Sequence, residues 1–179
     1  MPTPVAHGLA GAITVVVLSR VESDQRDWRL LLVGTVLSVI PDLDVLLVLI
    51  MGDQTWHHDF SHSFGFALLA GWLAAVSLKE KDRRMPWVFG AAMATHPLLD
   101  FIFTEASGVE LFWPLADERF RLAAHNFTIY RLNPHSLAER VQLLLLIALI
   151  ELLIYGSLLL IVLLIRNRRK QFFLSGSNR

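Results

Sequence analysis

Val141–Ile165 is an apolar run of 25 residues in which Glu151 is the only charge. At 1.5 Å per residue a helix of that length reaches about 37 Å, more than the ~30 Å hydrocarbon core of a bilayer. In lipid every backbone N–H and C=O must be bonded within the segment, so such a run is expected to cross as a helix. Once one crossing is expected, the remaining segments must suit the same solvent. Hydrophobic residues make up 54% of the 179 and charged residues 18%, and mean hydropathy is +0.51. Those values suit several crossings rather than one anchored soluble domain.

Four further apolar segments precede the last: Val5–Leu18, Leu30–Met51, Phe64–Leu78 and Pro86–Phe103. The pattern predicts an all-α polytopic membrane bundle with about five spans and one long outer loop. We read it as one domain over residues 1–179, with a core at 5–115, the loop at 104–140, the last span at 141–165 and a basic tail at 166–179. The N-terminus is expected to stay in the mature chain, because Met1-Pro2-Thr3-Pro4 carries no basic residue and His7 interrupts the apolar run. With five spans, 12 of the 16 Lys and Arg residues fall on one side and four on the other. The positive-inside rule then predicts a multi-pass cell-membrane protein, N-terminus outside and C-terminus cytoplasmic. Net charge is zero, which gives no reason to expect nucleic acid as a partner.

Ionisable residues inside spans cost roughly 2.5–3.5 kcal/mol each on insertion scales and point to function. Asp42, Asp44, His96, Asp100 and Glu151 all fall within these segments. Asp42 and Asp44 would face opposite sides of an ideal helix, but Pro41 favours a break that lets both enter one cavity. The bland alternative is a kinked helix with a solvated carboxylate pair. His96 and Asp100 are four apart and share a helix face. In Trp56-His57-His58-Asp59-Phe60-Ser61-His62-Ser63, His58 and His62 have the same spacing. If that stretch is helical, both could reach one metal ion. There is no cysteine, so any metal must be held by nitrogen and oxygen. A cluster of five or more His and Asp side chains in lipid is hard to stabilise without a cation. On the predicted topology it faces the outer side.

The order His7, Pro41-Asp42-x-Asp44, His57/His58–Ser61-His62-Ser63 and His96-x-x-x-Asp100 resembles the YdjM-like membrane-bound metal-dependent hydrolases. The continuation Thr104-x-x-x-Gly108-x-x-Leu111-Phe112-x-Pro114 resembles them as well. The likeness covers residues 5–115. Where that family usually reads His-Arg-Gly-x-Thr-His-Ser, this chain has His57-His58-Asp59-Phe60-Ser61-His62-Ser63. His58 thus stands in place of an arginine, so helical spacing favours His58 as a ligand while the motif favours His57. More distantly, the pattern is similar to the all-helical zinc-dependent phospholipases C and related nucleases. The resemblance implies metal ligands drawn from His7, Asp42, Asp44, His57, His58, His62, His96 and Asp100, with Asp42, Asp44, His62 and Asp100 catalytic. It implies divalent metal, zinc ahead of manganese, as one or two ions. It further implies attack by a water whose pKa is lowered towards ~7 on a phosphoester of a lipid or lipid-linked substrate.

In the outer loop, Phe112-Trp113-Pro114, Phe120, Phe127 and Tyr130 are expected either to cover the site or to anchor the interface. Arg119, Arg121 and Arg131 are the cations available there for phosphate, and His125 and His135 are either further ligands or solvated. Glu151 is expected to approach the cavity or to hydrogen-bond a neighbouring span. Arg166, Arg168, Arg169 and Lys170 read as a stop sequence contacting lipid headgroups. Two other functions share the same cavity. One is a transporter or metal-permeation protein, for which paired broken helices would speak. The other is a protein in which metal serves only the fold.

Overall fold

The computed structural model describes residues 2–19, 24–52, 59–103, 108–122 and 136–176. His57, His58, His125, His135, Phe127, Tyr130 and Arg131 lie outside them. The architecture is all-helical: α1 (Pro4–Leu18), α2 (Asp24–Val39), a 3-10 segment (Ile40–Asp44), α3 (Val45–Met51), a 3-10 turn (Phe60–His62), α4 (Phe64–Ser77), α5 (Met85–Phe103) and α6 (Leu137–Gly176). Because α2 runs on into α3, these make five rods, one for each apolar segment of the sequence. Among the described residues, β pairing is confined to one isolated bridge, Val109 with Phe120.

Helix boundaries follow from local chemistry. The Thr3 hydroxyl accepts from the Val5 amide at 3.3 Å and Pro4 occupies the first turn, where no N–H is needed. Pro41 cannot donate to the α2 ladder, and the backbone tightens there into the 3-10 segment before resuming as α3. The Ser63 hydroxyl accepts from the Phe66 amide at 3.0 Å and starts α4 at Phe64. One expectation changes here. His62 closes a 3-10 turn ahead of α4 rather than lying on an α-helix, while His58, its expected partner, lies outside the described residues.

The bundle is assembled around α5, which packs against α1, α2 and α4. Phe89, Ala92 and Met93 are fully buried at its centre. Glycines bring neighbouring backbones close. A Cβ on Gly11 of α1 would lie 2.3 Å from the Gly34 carbonyl oxygen of α2, and one on Gly71 of α4 would lie 2.2 Å from the Gly90 nitrogen of α5. Small residues at such crossings are the packing device of membrane helices.

Among the described residues, two helical segments are long and apolar enough to cross a bilayer: Trp28–Met51, with 24 residues, and Leu137–Arg169, with 33. Helices α1 and α4 are apolar but shorter. Helix α5 has 19 residues, and its polar groups turn inward: His96 and Asp100 have no exposed surface. Helix α6 packs on α1, while Leu145, Leu153, Ile154 and Leu160 among others remain exposed, as suits a lipid-facing surface.

Polar bonds join α6 to both ends of α1. At the start of α1, Glu151 accepts from the Thr3 amide at 3.0 and 3.1 Å and from the Thr3 hydroxyl. At its end, Arg166 donates to the Val16 carbonyl at 2.7 Å and to the Ser19 hydroxyl at 3.0 Å. The two helices therefore run in the same direction. A carboxylate sits at the positive end of the α1 dipole and a guanidinium at the negative end. Of the two expectations for Glu151, the bond to a neighbouring helix is the one observed.

Candidate metal centre

Four elements converge at one end of the bundle. His7 comes from α1, Asp42 and Asp44 from the 3-10 segment, His62 from the turn before α4, and His96 and Asp100 from successive turns of α5. His7, His62, His96 and Asp100 are wholly buried and Asp44 nearly so. The Asp42 side chain keeps 21% of its surface exposed and marks the open edge.

The backbone break fixes the orientation of His96. In a 3-10 pattern the Ser38 carbonyl would accept from residue 41, but Pro41 has no N–H. That carbonyl instead meets His96 Nδ1 at 2.7 Å. A carbonyl can only accept, so Nδ1 carries the proton and Nε2 of the neutral ring presents its lone pair to the cluster. His62 is held in a similar way. Its Nδ1 faces Asp44 Oδ2 at 3.2 Å, and the Ser61 hydroxyl donates to the same oxygen at 3.0 Å. With Nδ1–H directed at Asp44, His62 Nε2 also points inward.

The inward nitrogens meet. His62 Nε2 and His96 Nε2 are 2.9 Å apart. Asp100 Oδ2 lies 3.4 Å from the first and 3.2 Å from the second, and Asp42 Oδ1 is 3.5 Å from His96 Nε2. His7 stacks on the His96 ring with centroids 3.8 Å apart, and its Nε2 is 3.6 Å from Asp100 Oδ1. Among the described residues, neither ring nitrogen of His7 has a hydrogen-bond partner. Buried polar groups are normally satisfied. Lone pairs and carboxylates directed at one point repel unless a positive species lies between them. The donor set suits a divalent ion bound by nitrogen and oxygen. Among the described residues, two groups have ligand atoms within 4.8 Å of one another: His7, His96 and Asp100, and Asp42, His62 and His96.

The structure thus brings together His7, Asp42, Asp44, His62, His96 and Asp100. It sets Asp44 behind His62, as the carboxylate that orients an imidazole rather than as a direct contributor to either group. The Ser38 carbonyl and the Ser61 hydroxyl were not among the expected site residues. The one sequence signal for Ser38 is its position three residues before Pro41.

The loop from Gly108 to Leu122 borders this end. The Phe64 amide donates to the Leu111 carbonyl at 3.0 Å, and Phe60 packs beside Trp113 with ring centroids 5.7 Å apart. Arg119, expected as a phosphate-binding cation, pairs with Glu110 at 3.3 Å. Burial, then a hydrogen bond to Asp59 and that residue's negative charge, push the Glu110 carboxyl up to about 7, against the opposing pull of Arg119.

Comparison with known proteins gives the chain its relatives. It is 32% identical to the inner membrane protein YbcI of Escherichia coli (strain K12) over 127 residues, which is 67% of this chain and 72% of that protein. No solved structure matches it. The family model of the YdjM inner membrane protein matches residues 1–171. The chain belongs to the YdjM inner membrane protein family.

Proposed function

We propose that this membrane protein is a metal-dependent hydrolase of phosphoesters, acting on a lipid or lipid-linked substrate. The observation that carries the reading is the pair of inward Nε2 atoms of His62 and His96, 2.9 Å apart and flanked by Asp100 and Asp42. Zinc is favoured over manganese by two imidazoles at the centre of the donor set. When bound, a divalent ion neutralises charge on a phosphoryl oxygen and acidifies a water molecule.

The protein's own groups divide the remaining work. His7, His62, His96, Asp42 and Asp100 would hold the ion. Ser38 and Asp44 fix which imidazole nitrogens face it, so little reorganisation is needed. His96 belongs to both groups, and its Nδ1 is committed to Ser38. Asp100, within 3.6 Å of His7, His62 and His96, would hold the ion together with these imidazoles. Asp42 keeps 21% of its side chain exposed, so it is the ligand an entering nucleophile would meet first. The aromatic loop beside His62 borders the approach to the site from the bilayer interface.

We further infer that the site faces the outer side, from the excess of Lys and Arg in the linkers at the bundle's other end. The test is a panel of phosphoesters presented to the purified protein in detergent and in liposomes. Chelator-sensitive hydrolysis that disappears in Asp42→Ala is expected. Metal flux across proteoliposomes without hydrolysis would instead assign the cavity to transport.

A further inference from the structure

At the opposite end from the His/Asp cluster lies a cleft of about 280 Å³, lined by Arg29, Leu30, Leu78, Lys79, Glu80 and Lys81. Arg29 precedes Asp42 by 13 residues along α2 and the 3-10 segment, which places the cleft roughly 20 Å from the cluster. Leu30, 5% exposed, and Leu78, 37% exposed, are the apolar part of this lining. Three cations and one carboxylate form the rim. Trp28 and Trp87, 58% and 69% exposed, stand at the same end of the bundle. That is where aromatic rings meet lipid headgroups in a membrane protein.

The turn that forms the cleft carries a second signal. Helix α4 ends with the Glu80 amide bonded to the Ala75 carbonyl and the Lys79 amide to the Val76 carbonyl, both at 3.0 Å. This double closure normally puts glycine at the left-handed position. Here that position is Lys79, with φ +53°. A lysine in the left-handed region is an outlier that raises the question of what its side chain does there. The closing bonds also satisfy the last carbonyls of α4 through the backbone.

We propose that this cleft binds the phosphate-bearing headgroup of an anionic phospholipid. Arg29, Lys79 and Lys81 meet the phosphate, and Leu30 and Leu78 take the start of the acyl chains. The two leucines in the lining favour a lipid over a free anion, which would gain nothing from them. The site is independent of the hydrolase reading, since it shares no residue with the metal centre.

The test is native mass spectrometry of the full chain released from micelles. The micelles contain equal amounts of phosphatidylglycerol and phosphatidylcholine with the same acyl chains. Selective retention of phosphatidylglycerol is expected, weakened about fivefold for each cation removed in Lys79→Gly and in Arg29→Gln/Lys81→Gln. Lys79→Gly suits the turn and should melt no lower than wild type, so its loss of lipid would not reflect unfolding. The exposed Arg29→Gln/Lys81→Gln pair checks the same point without altering the turn. Equal retention of the two lipids, or retention unchanged in both variants, would overturn the proposal. Displacement by millimolar glycerol 3-phosphate would also overturn it, by assigning the cleft to a soluble phosphate compound.

Discussion

The His62 imidazole shows how much of this site depends on groups behind its ligands. Asp44 and Ser61 act on its Nδ1 side, and only the opposite nitrogen faces the cluster. Asp44→Ala is therefore expected to leave the fold intact and weaken metal binding by about 10- to 100-fold, as measured by competition with a chelator. Unchanged affinity would show that His62 keeps its orientation without the carboxylate. At the loop, Glu110 allows a pH prediction with a definite sign. Its carboxyl is raised from 4.5 to about 7 in the folded protein. Between those values the folded state holds a proton that the unfolded state has lost, so stability falls as pH rises. The contribution is complete below about pH 4.5 and gone above about pH 7. Glu110→Gln should flatten this part of the pH dependence, read as thermal midpoints at pH 5 and pH 8.

Helix α1 is an element that its own sequence does not fully stabilise. Fifteen residues reach about 22 Å, short of a ~30 Å hydrocarbon core, and the Thr3 amide just ahead of it has no partner within the helix. Glu151 supplies one from α6, and Arg166 does the same for the last turn. Glu151→Ala should lower stability by about 2 kcal/mol, the scale of hydrogen bonds to a charged acceptor, and Glu151→Gln by less, because the amide oxygen still accepts. Thermal unfolding in detergent distinguishes the two. The helices were legible in the sequence because lipid forces each apolar run to bond its own backbone, and all five segments recur as rods, although α2 begins at Asp24 rather than Leu30 and α6 runs past Ile165 to Gly176, taking in most of the basic tail. The α5 face carrying His96 and Asp100 followed from spacing alone, and the break near Asp42 and Asp44 followed from Pro41. Contacts across distant sequence were not legible. Glu151 meets Thr3 from 148 residues away, and His7 carries no spacing signal of its own. His62 itself lies in a 3-10 turn because Ser63 caps α4 just beyond it, and its expected partner His58 lies outside the described residues.

Across the whole molecule, polar chemistry separates into two ends of an apolar bundle. The buried imidazoles and carboxylates gather where α1 begins and α5 nears its end, while Arg29, Lys79 and Lys81 stand at the other. Both ends are held by the same close crossings, Gly11 against Gly34 and Gly71 against Gly90. Metal at the first end is the premise of the proposed chemistry. Elemental analysis of the purified chain, beside Asp42→Ala/His96→Ala with its helicity checked by circular dichroism, tests it most directly. We expect one or two equivalents of zinc or manganese in the wild type and close to none in the folded double variant. The same metal content in both, or a wild type that takes up no divalent ion when supplied with it, would contradict the metal centre.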